Sequence, residues 1–366
     1  MISDKRLYRD FDKTLLLVTF LIFFIGIISI YSATQAKWLP FGESYVLKQL
    51  NWMVIGVILL ILVVNISYHR FLDLAYVIYG INIILLILVL LLGHIRLGAQ
   101  RWFVIGGFTF QPSEFIKLSL ILALSSYVGQ KRGALSELKD LAIPIILLAI
   151  PFTLVILQPD LGTSLILIPI FFSILLVGGA RPKHIFGMIT LGLLAGPFFW
   201  HFLREYQRQR LMVFINPNID PLGAGYTIIQ SKIAVGSGGL FGKGWLAGTQ
   251  NQLNFLPERH TDFIFSTIGE EWGYAGAVIL IMLYFVIVNR AFGISGLTSD
   301  TYGKSIAAGV AVMIALQVII NIGMTIGLMP VVGIPLPLVS YGGSSLITTL
   351  VAIGLLLNVG MRRSTF

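Results

Sequence analysis

Apolar residues fall into ten long runs along the chain, and this pattern constrains the fold more than any other feature. A helix needs roughly 20 apolar residues to cross a bilayer, and most of the runs approach or reach that length. With 57% hydrophobic and 11% charged residues, the chain lacks the polar surface of a soluble enzyme, and a disordered chain or secreted disulfide scaffold is also excluded. We therefore predict an all-α polytopic membrane protein, with residues 1–366 forming a single integral membrane domain. The predicted spans lie near residues 14–32, 47–66, 71–92, 113–129, 141–157, 161–178, 184–202, 263–289, 305–328 and 342–360.

The distribution of lysine and arginine predicts the orientation of these spans. An even number of spans places both termini on the same side of the membrane. Of the 25 lysines and arginines, 14 lie on the side of the termini and only 4 lie in the short loops of the opposite side. Because basic residues favour the cytoplasmic side, we predict that both termini are cytoplasmic. Residues 203–262 then form a large extracytoplasmic loop between the seventh and eighth spans, in which we expect short helices on or dipping into the outer leaflet.

Several kinds of site are excluded by what the sequence lacks. There is no cysteine, which excludes disulfides and thiolate ligands. The glycine-rich stretch at 236–244 does not have the spacing of a phosphate-binding loop, and the five histidines never show the spacing of zinc ligands. Basic residues are scattered beside the apolar runs and form no nucleic-acid patch. We expect no nucleotide, zinc or haem cofactor and no nucleic-acid partner.

Ionisable residues at membrane depth give the most informative functional signal. A charge there costs at least about 3 kcal/mol unless it is paired or hydrated, so such residues are treated as functional hypotheses. They occur in several segments, each at the predicted outer end of a span or just above it, which indicates a polar cavity at the outer leaflet. The candidates are Arg101, Glu114, Lys117, Asp160, Glu258, Asp262, Glu270 and Glu271.

Most of these candidates also have a purely structural interpretation. Glu114 and Lys117 share one face of the fourth span and can simply neutralise each other. Asp160 follows a proline at the start of the sixth span and can cap that helix. If their segment is helical, Glu258 and Asp262 point into the same region and offer a general base or a pair of divalent-cation ligands. The residues alone leave these alternatives open.

Two pairs of glycines with GxxxG spacing allow close contact between helices. Gly269 and Gly273 lie in the eighth span, and Gly323 and Gly327 lie in the ninth. One interpretation is packing within the bundle, and the other is a face for the helix of another membrane protein.

Two functional classes fit a chain of this kind: an enzyme acting on a membrane lipid, and a transporter or flippase. A transporter site is usually at the midplane and is accompanied by inverted repeats and broken helices. The candidate charges lie towards the outer side, and no internal symmetry is visible. The sequence therefore favours the enzyme.

Four blocks of the sequence resemble the signature of the SEDS family (shape, elongation, division and sporulation). Two are short: Gln111–Lys117 begins Gln-Pro-Ser-Glu, and Gln158–Thr163 reads Gln-Pro-Asp-Leu-Gly-Thr. The third is Leu-Pro-Glu-Arg-His-Thr-Asp at 256–262, followed by Gly269–Glu271, and the fourth runs from Asn321 to Ser345. The glycine-rich stretch at 236–250 is similar to that of the elongation members of the family, in contrast to the division members.

This resemblance implies a peptidoglycan glycosyltransferase of the bacterial cytoplasmic (inner) membrane that polymerises lipid II into glycan strands during cell elongation. It implies a class B penicillin-binding protein, a single-pass transpeptidase, as partner, together with other membrane proteins of the elongation complex. The family's catalytic aspartate falls on Asp262. Its substrate-binding cavity residues fall on Arg101, Glu114, Lys117, Asp160 and Arg210, and its partner surface involves spans eight and nine, where Gly269, Gly273, Gly323 and Gly327 lie.

The implied reaction suits these residue types. The 4-hydroxyl of the acceptor sugar needs a general base, which Asp262 would provide, and the departing pyrophosphate needs positive charge. Arg101, Lys117 and Arg210 are the basic candidates. A divalent cation (Mg²⁺ or Mn²⁺) would serve the same purpose, with Asp262, Glu258 or Glu114 as candidate ligands. Translocation of lipid II without chemistry, and a non-catalytic scaffold for the transpeptidase, are the alternatives.

Overall fold

Helices dominate the computed structural model, which describes residues 10–35, 42–96, 99–105, 108–131, 135–201, 203 and 205–363. A helix lies at each of the ten predicted ranges. These helices are α1 (Lys13–Thr34), α2 (Gly42–Asn65), α4 (Ala75–Leu92), α5 (Pro112–Gln130), α6 (Ala142–Leu157), α7 (Leu161–Val177), α8 (Pro182–Trp200), α12 (Ile264–Leu297), α13 (Thr301–Thr325) and α14 (Gly343–Arg362). A short helix α3 (Tyr68–Asp73) precedes α4, and 3₁₀ turns lie at Leu138–Leu141 and Pro217–Ile219.

The surface of the bundle is apolar, as a lipid environment requires. In the described part of the chain, seven helices are long and apolar enough to cross a membrane, and α7 is apolar but shorter, with 17 residues. Large side chains on the periphery stay exposed, for example Phe24 at 62% and Leu91 at 71%. In water such a continuous apolar surface would drive aggregation, whereas lipid covers it without loss. The chain is therefore a multi-pass membrane protein.

The centre of the bundle is formed by α5, α13 and α14. In α5, 17 of the 19 residues are buried, and α14 is 94% buried over its most apolar stretch. Small residues allow this close packing. At Gly309 in α13, for instance, an added Cβ would lie 3.0 Å from Ile174 of α7 and 3.1 Å from Ile121 of α5.

A small antiparallel sheet, which was not predicted from the sequence, connects α4 to α5. Its strands are β1 (His94–Arg96), β2 (Ala99–Ile105) and β3 (Phe108–Phe110), in the order β1-β2-β3. Phe103 pairs with Phe110 in the register between β2 and β3. Arg101 in β2 donates to the carbonyl of Gln158, and this bond holds the sheet against the chain that leads into α7.

The long segment between α8 and α12 contains three helices: α9 (Glu205–Ile215), α10 (Ala224–Ser237) and α11 (Thr249–Gln252). We call the end of the bundle that carries this segment the outer face. Residues 224–252 are named the inserted segment, because α10 runs into the bundle beside α12. The Oγ atoms of Ser231 and Ser266 lie 2.7 Å apart near the outer face. Deeper in the bundle, the amide of Tyr274 donates to the carbonyl of Gly239 at 2.9 Å, and the chain then turns back.

The inserted segment pairs with a break in α12. Gly273 has φ 66° and ψ −161° inside this helix, a conformation that glycine adopts without a steric penalty. The amides of Lys243 and Gly244 donate to the carbonyls of Glu270 and Glu271, both at 3.0 Å. The backbone groups beside the break therefore have partners, as they must have in the interior of a membrane.

Candidate active site

Asp262 lies at the outer face in the turn that leads into α12, and its side chain is half-buried. This burial raises the pKa of Asp262 to about 6. The neighbouring Glu258 carboxylate contributes to the rise, while Arg210 and Arg101 oppose it. Such a carboxylate is largely ionised at neutral pH and basic enough to accept a proton from a reacting hydroxyl.

The backbone at Asp262 is held by three consecutive hydrogen bonds. The amide of Tyr341 donates to the carbonyl of His260 at 2.9 Å, and the hydroxyl of Ser340 donates to the carbonyl of Thr261 at 2.6 Å. The side-chain amide of Asn321 donates to the carbonyl of Asp262 itself at 2.9 Å. The turn is therefore fixed against α13 and against the chain that leads into α14.

Arg101 and Asp160 lie together beside the start of α7. A guanidinium nitrogen of Arg101 is 3.7 Å from Oδ1 of Asp160, while its Nε donates to the carbonyl of Gln158 at 2.9 Å and its Nη2 donates to that of Pro159. Asp160 caps α7 by accepting from the amide of Thr163 at 3.2 Å, and it also accepts from the hydroxyl of Ser113 at 3.1 Å. Asp160 therefore has both predicted roles. It caps α7, and in this position its buried charge also faces Arg101.

Arg210 projects from α9 into the same region. Its Nη1 donates to the carbonyl of Val331 at 3.1 Å, and its guanidinium lies 5.8 Å from the centre of the Tyr206 ring. Arg101 and Arg210 line one small, partly open cleft, with Leu161, Leu211, Pro330 and Val332 on its apolar walls. A cleft with two guanidinium groups and apolar walls can accept an anionic group attached to an apolar chain.

Glu114 and Lys117 form a separate ion pair inside α5. Nζ of Lys117 is 2.9 Å from Oε2 of Glu114, and both side chains are almost fully buried. Neither residue is among those lining the cleft of Arg101 and Arg210. The first turn of α5 is nevertheless adjacent to Asp160, since Gln111 and Ser113 both donate to that carboxylate.

The geometry thus brings together a carboxylate of raised pKa, two arginines and a buried acid, all at the outer face. Asp160, Arg101 and Arg210 all act electrostatically on Asp262. Comparison with known proteins shows which family this chain belongs to. The model of a cell cycle protein family, that of FtsW, RodA and SpoVE, matches residues 12–365. The chain belongs to this family.

Relatives of this SEDS protein cover almost all of it. Peptidoglycan glycosyltransferase MrdB of Escherichia coli K12 is 40% identical over 98% of this chain and 97% of its own length, and RodA of Treponema pallidum is 35% identical over 97% and 98%. A chain from a peptidoglycan synthase complex that coordinates polymerization and crosslinking superposes with a TM-score of 0.82 at 36% identity, and the match covers 97% of this chain and 99% of the other. RodA of Thermus thermophilus superposes with a TM-score of 0.72 at 33% identity, covering 96% and 97%.

Each of the four glycines predicted at the partner interface of this SEDS protein also has a neighbour in its own chain. A Cβ at Gly269 would lie 3.2 Å from Val235, and one at Gly273 would lie 2.3 Å from the amide of Gly242. Gly323 is close to Met329, and Gly327 to Lys232. The internal-packing interpretation therefore applies to all four, and their contact with a partner helix remains a prediction.

Two further carboxylates of this SEDS protein hold the inserted segment in place. Glu270 accepts from Nζ of Lys243 at 2.8 Å and from Oγ1 of Thr249 at 3.0 Å. Glu271 accepts from the hydroxyl of Ser32 in α1. These two candidates therefore connect α12 to the inserted segment and to α1, away from the cleft.

The carboxylates near Asp262 can bind a divalent cation only if other groups complete its shell. The described part of the chain brings no three His, Cys, Asp or Glu residues together as a closed metal site. Mg²⁺, however, commonly binds through one or two carboxylates, with waters and substrate phosphates completing its shell. Glu258 is exposed beside Asp262, whereas Glu114 is already paired with Lys117. Glu258 thus fits a cation that enters with the phosphates of a substrate.

Sequence reasoning gave no role to Asn321, Gly333 or Tyr206, which also shape the site. Tyr206 donates to the carbonyl of Pro159 at 2.8 Å, close to Arg101. A Cβ at Gly333 would lie 3.4 Å from Oδ2 of Asp262. Asn321 belongs to a motif that carried the family resemblance, and this was the only signal available for it.

Proposed function

We propose that this chain polymerises lipid II at the outer face, with Asp262 as the general base. The activity itself is supported by relatives named peptidoglycan glycosyltransferase, at 35–40% identity over nearly their full length. The observation that carries the proposed mechanism is the half-buried Asp262 carboxylate, with its raised pKa, beside a cleft lined by two arginines.

In the proposed reaction, the 4-hydroxyl oxygen of the acceptor sugar bonds to the anomeric carbon of the donor. The hydroxyl proton passes to Asp262, and the bond between the anomeric carbon and the phosphate oxygen breaks. The electron pair of that bond leaves with the lipid pyrophosphate. Attack is direct, so the anomeric configuration of the donor is inverted in the product. Retention of configuration would contradict the single displacement.

The two arginines have different roles in this proposal. Arg101 donates to the carbonyls of Gln158 and Pro159 and faces Asp160, so its guanidinium is largely committed to the protein. Arg210 makes one hydrogen bond to the described part of the chain, at Val331, and it is exposed towards the cleft. We assign the leaving pyrophosphate to Arg210, with Arg101 contributing at longer range.

Glu258 is proposed to bind a divalent cation, Mg²⁺ or Mn²⁺, together with the pyrophosphate. Such a cation would neutralise negative charge that develops on the leaving group. Lys117 and Glu114 are proposed to support substrate binding from the first turn of α5, through Gln111 and Ser113 at Asp160.

The setting of the reaction is proposed from the resemblance and from the structural neighbour. That neighbour comes from a complex that coordinates polymerization with crosslinking, which supports a class B penicillin-binding protein as partner. We place the protein in the bacterial cytoplasmic membrane, within the elongation complex and its other membrane proteins.

The test uses the purified full chain with its cognate transpeptidase, lipid II and Mg²⁺ or Mn²⁺. We expect glycan ladders from the wild type and none from Asp262→Ala or Asp262→Asn. Asp220→Asn is the matched control, because Asp220 is also half-buried in the same outer segment but caps the local turn at Gly223. Ladders from the Asp262 variants would remove Asp262 from catalysis. No ladder from any protein, together with transfer of lipid II across vesicles, would favour translocation instead.

A further inference from the structure

Asn321 is fully buried near the outer end of α13, and its side chain bridges two backbone carbonyls. Nδ2 donates to the carbonyl of Asp262 at 2.9 Å and to that of Ile334 at 2.8 Å. Because both partners are acceptors, the side chain must direct its amide hydrogens towards them. Both hydrogens of one amide are therefore used to hold two separate stretches of chain.

These two stretches lie on either side of the Asp262 carboxylate. One is the turn that carries Asp262 itself, and the other includes Gly333, where an added Cβ would lie 3.4 Å from Oδ2 of Asp262. Asn321 thus fixes the backbone of Asp262 relative to the backbone that its carboxylate faces. The hydroxyl of Ser340 also connects these stretches, since it donates to the carbonyl of Thr261 and accepts from the amide of Leu336, but neither of its bonds reaches Asp262 itself.

The hydrogen-bonding capacity of Asn321 is only partly used. Its Oδ1 is buried and has no hydrogen-bond partner in the described part of the chain. A buried acceptor without a partner destabilises a fold, whereas an apolar side chain of similar size would instead lose the two donated hydrogen bonds. The value of Asn321 therefore lies in its two N–H bonds and in what they hold.

We infer that Asn321 is a positioning residue for Asp262, setting the carboxylate in the geometry that proton transfer needs. The inference rests on the proposed function only for the role of Asp262 as the base. Reacting groups must be aligned closely, and a displacement of about 1 Å can lower a rate by about 100-fold. Loss of the bridge should therefore change turnover much more than substrate binding.

The kinetic test compares Asn321→Leu with Asn358→Leu. Asn358 in α14 is a matched control, since it is also fully buried and its Nδ2 also bridges two carbonyls, those of Val63 and Ile66. Asn358 lies in the last two turns of α14, whereas the outer face adjoins the start of that helix. For Asn321→Leu we expect kcat to fall by about 10- to 100-fold while KM for lipid II changes less than about 3-fold. Asn358→Leu should lower the melting temperature and leave kcat per folded molecule unchanged.

A second measurement does not require activity. The chain contains no cysteine, so Asp262→Cys introduces a single thiol at the site. Its rate of alkylation by a charged maleimide reports how that position is presented to the cleft. We expect the rate to change several-fold when Asn321→Leu is added, and to stay constant when Asn358→Leu is added. Asn321→Gln, which keeps the donors on a longer side chain, should restore part of the kcat lost in Asn321→Leu.

The outcomes separate the inference from the proposed function. Equal kcat in Asn321→Leu and the wild type, or equal alkylation rates with and without Asn321→Leu, would overturn the positioning role. If the wild type makes no polymer, the proposed function fails, and the alkylation comparison still decides whether Asn321 positions residue 262. If Asp262→Ala polymerises normally, the inference falls together with the base.

Discussion

Lys243 and Glu270 form an ion pair of 2.8 Å at the point where the inserted segment meets the break in α12. Glu270 is 1% exposed and Lys243 is 28% exposed. The same carboxylate oxygen also accepts from the hydroxyl of Thr249 and the amide of Gln250, each at 3.0 Å. One carboxylate of α12 thus holds both sides of the turn by which the inserted segment returns to the outer face.

Replacing Lys243 by methionine should destabilise the protein by about 3 kcal/mol, because it leaves a buried carboxylate without its positive partner. The measurement is the melting temperature of the purified protein in detergent. Lys131→Met is the control, since Lys131 forms an ion pair of the same kind with Asp140, at 2.9 Å, on an exposed surface. Exposed pairs contribute little to stability, so that variant should melt like the wild type. Equal decreases in the melting temperature of the two variants would show that the burial of Glu270 does not increase the contribution of its ion pair to stability.

Polymerisation should depend on pH through Asp262. The base must be ionised, and its pKa is raised to about 6, so the rate should fall as the pH drops below that value. Between pH 7 and pH 5 the ionised fraction, and with it kcat, should decrease by about 10-fold. The measurement is kcat at saturating lipid II across this range.

Glu258→Gln should move the midpoint of that pH profile to lower pH and, because Glu258 is also the proposed cation ligand, lower the maximum rate. The Glu258 carboxylate contributes to the raised pKa of Asp262, so removal of its charge lowers that pKa and keeps the base ionised in more acidic solution. Glu205→Gln, at an exposed position in the first turn of α9, should leave the midpoint unchanged. A midpoint that stays constant or rises in Glu258→Gln would contradict this account of the Asp262 environment.

Arg210→Ala should lower kcat/KM by about 100-fold, the size expected when one donor to a developing negative charge is removed. Arg208→Ala is the matched control on the same helix. Arg208 donates to the carbonyls of Trp200 at 3.1 Å and His201 at 2.8 Å, away from the cleft. Initial rates of glycan formation would distinguish the two variants. Similar losses for both would indicate a structural role for α9 and argue against binding of the leaving group by Arg210.

Gly273→Ala should destabilise the protein strongly, because residue 273 has a positive φ and the added Cβ would lie 2.3 Å from the amide of Gly242. Gly293→Ala, in the same helix, meets nothing within 4 Å and should be neutral or slightly stabilising. Thermal melting of both variants in detergent measures the difference. A Gly273→Ala protein as stable as Gly293→Ala would rule out a rigid break at this position.

The ten long helices could be predicted from the sequence, because most of the apolar runs approach or reach the length that a membrane span needs. The small sheet at 94–110 was missed, since its strands span three to seven residues between two spans and give no periodic signal. The break at Gly273 was also missed. GxxxG spacing indicates close approach, but it does not reveal that the approaching group is the backbone of a segment about 30 residues earlier.

For the candidate site, the sequence identified the charged residues but not how they are held. Asp262, Arg101 and Asp160 were named because charge beside a membrane is itself a signal, whereas Arg210 was named only through the resemblance to the SEDS family. Asn321 carries no charge, and its contact with Asp262 spans 59 residues of sequence. Its role depends on the direction of two amide hydrogens, which only a three-dimensional arrangement can define.

The break at Gly273 has a consequence for how this part of the molecule assembles. On both sides of the break, α12 takes hydrogen-bond partners from residues 239–244, which are not part of the helix. In hydrocarbon those groups have no water to replace a lost partner. The outer part of α12 and the inserted segment should therefore form and melt as one cooperative unit, and hydrogen exchange should show equal protection for the amides of Lys243, Gly244, Tyr274 and Ala275. In the sequence this segment has the pattern of a long surface loop. In the structure, its residues 239–244 supply the backbone hydrogen bonds that α12 lacks at its break.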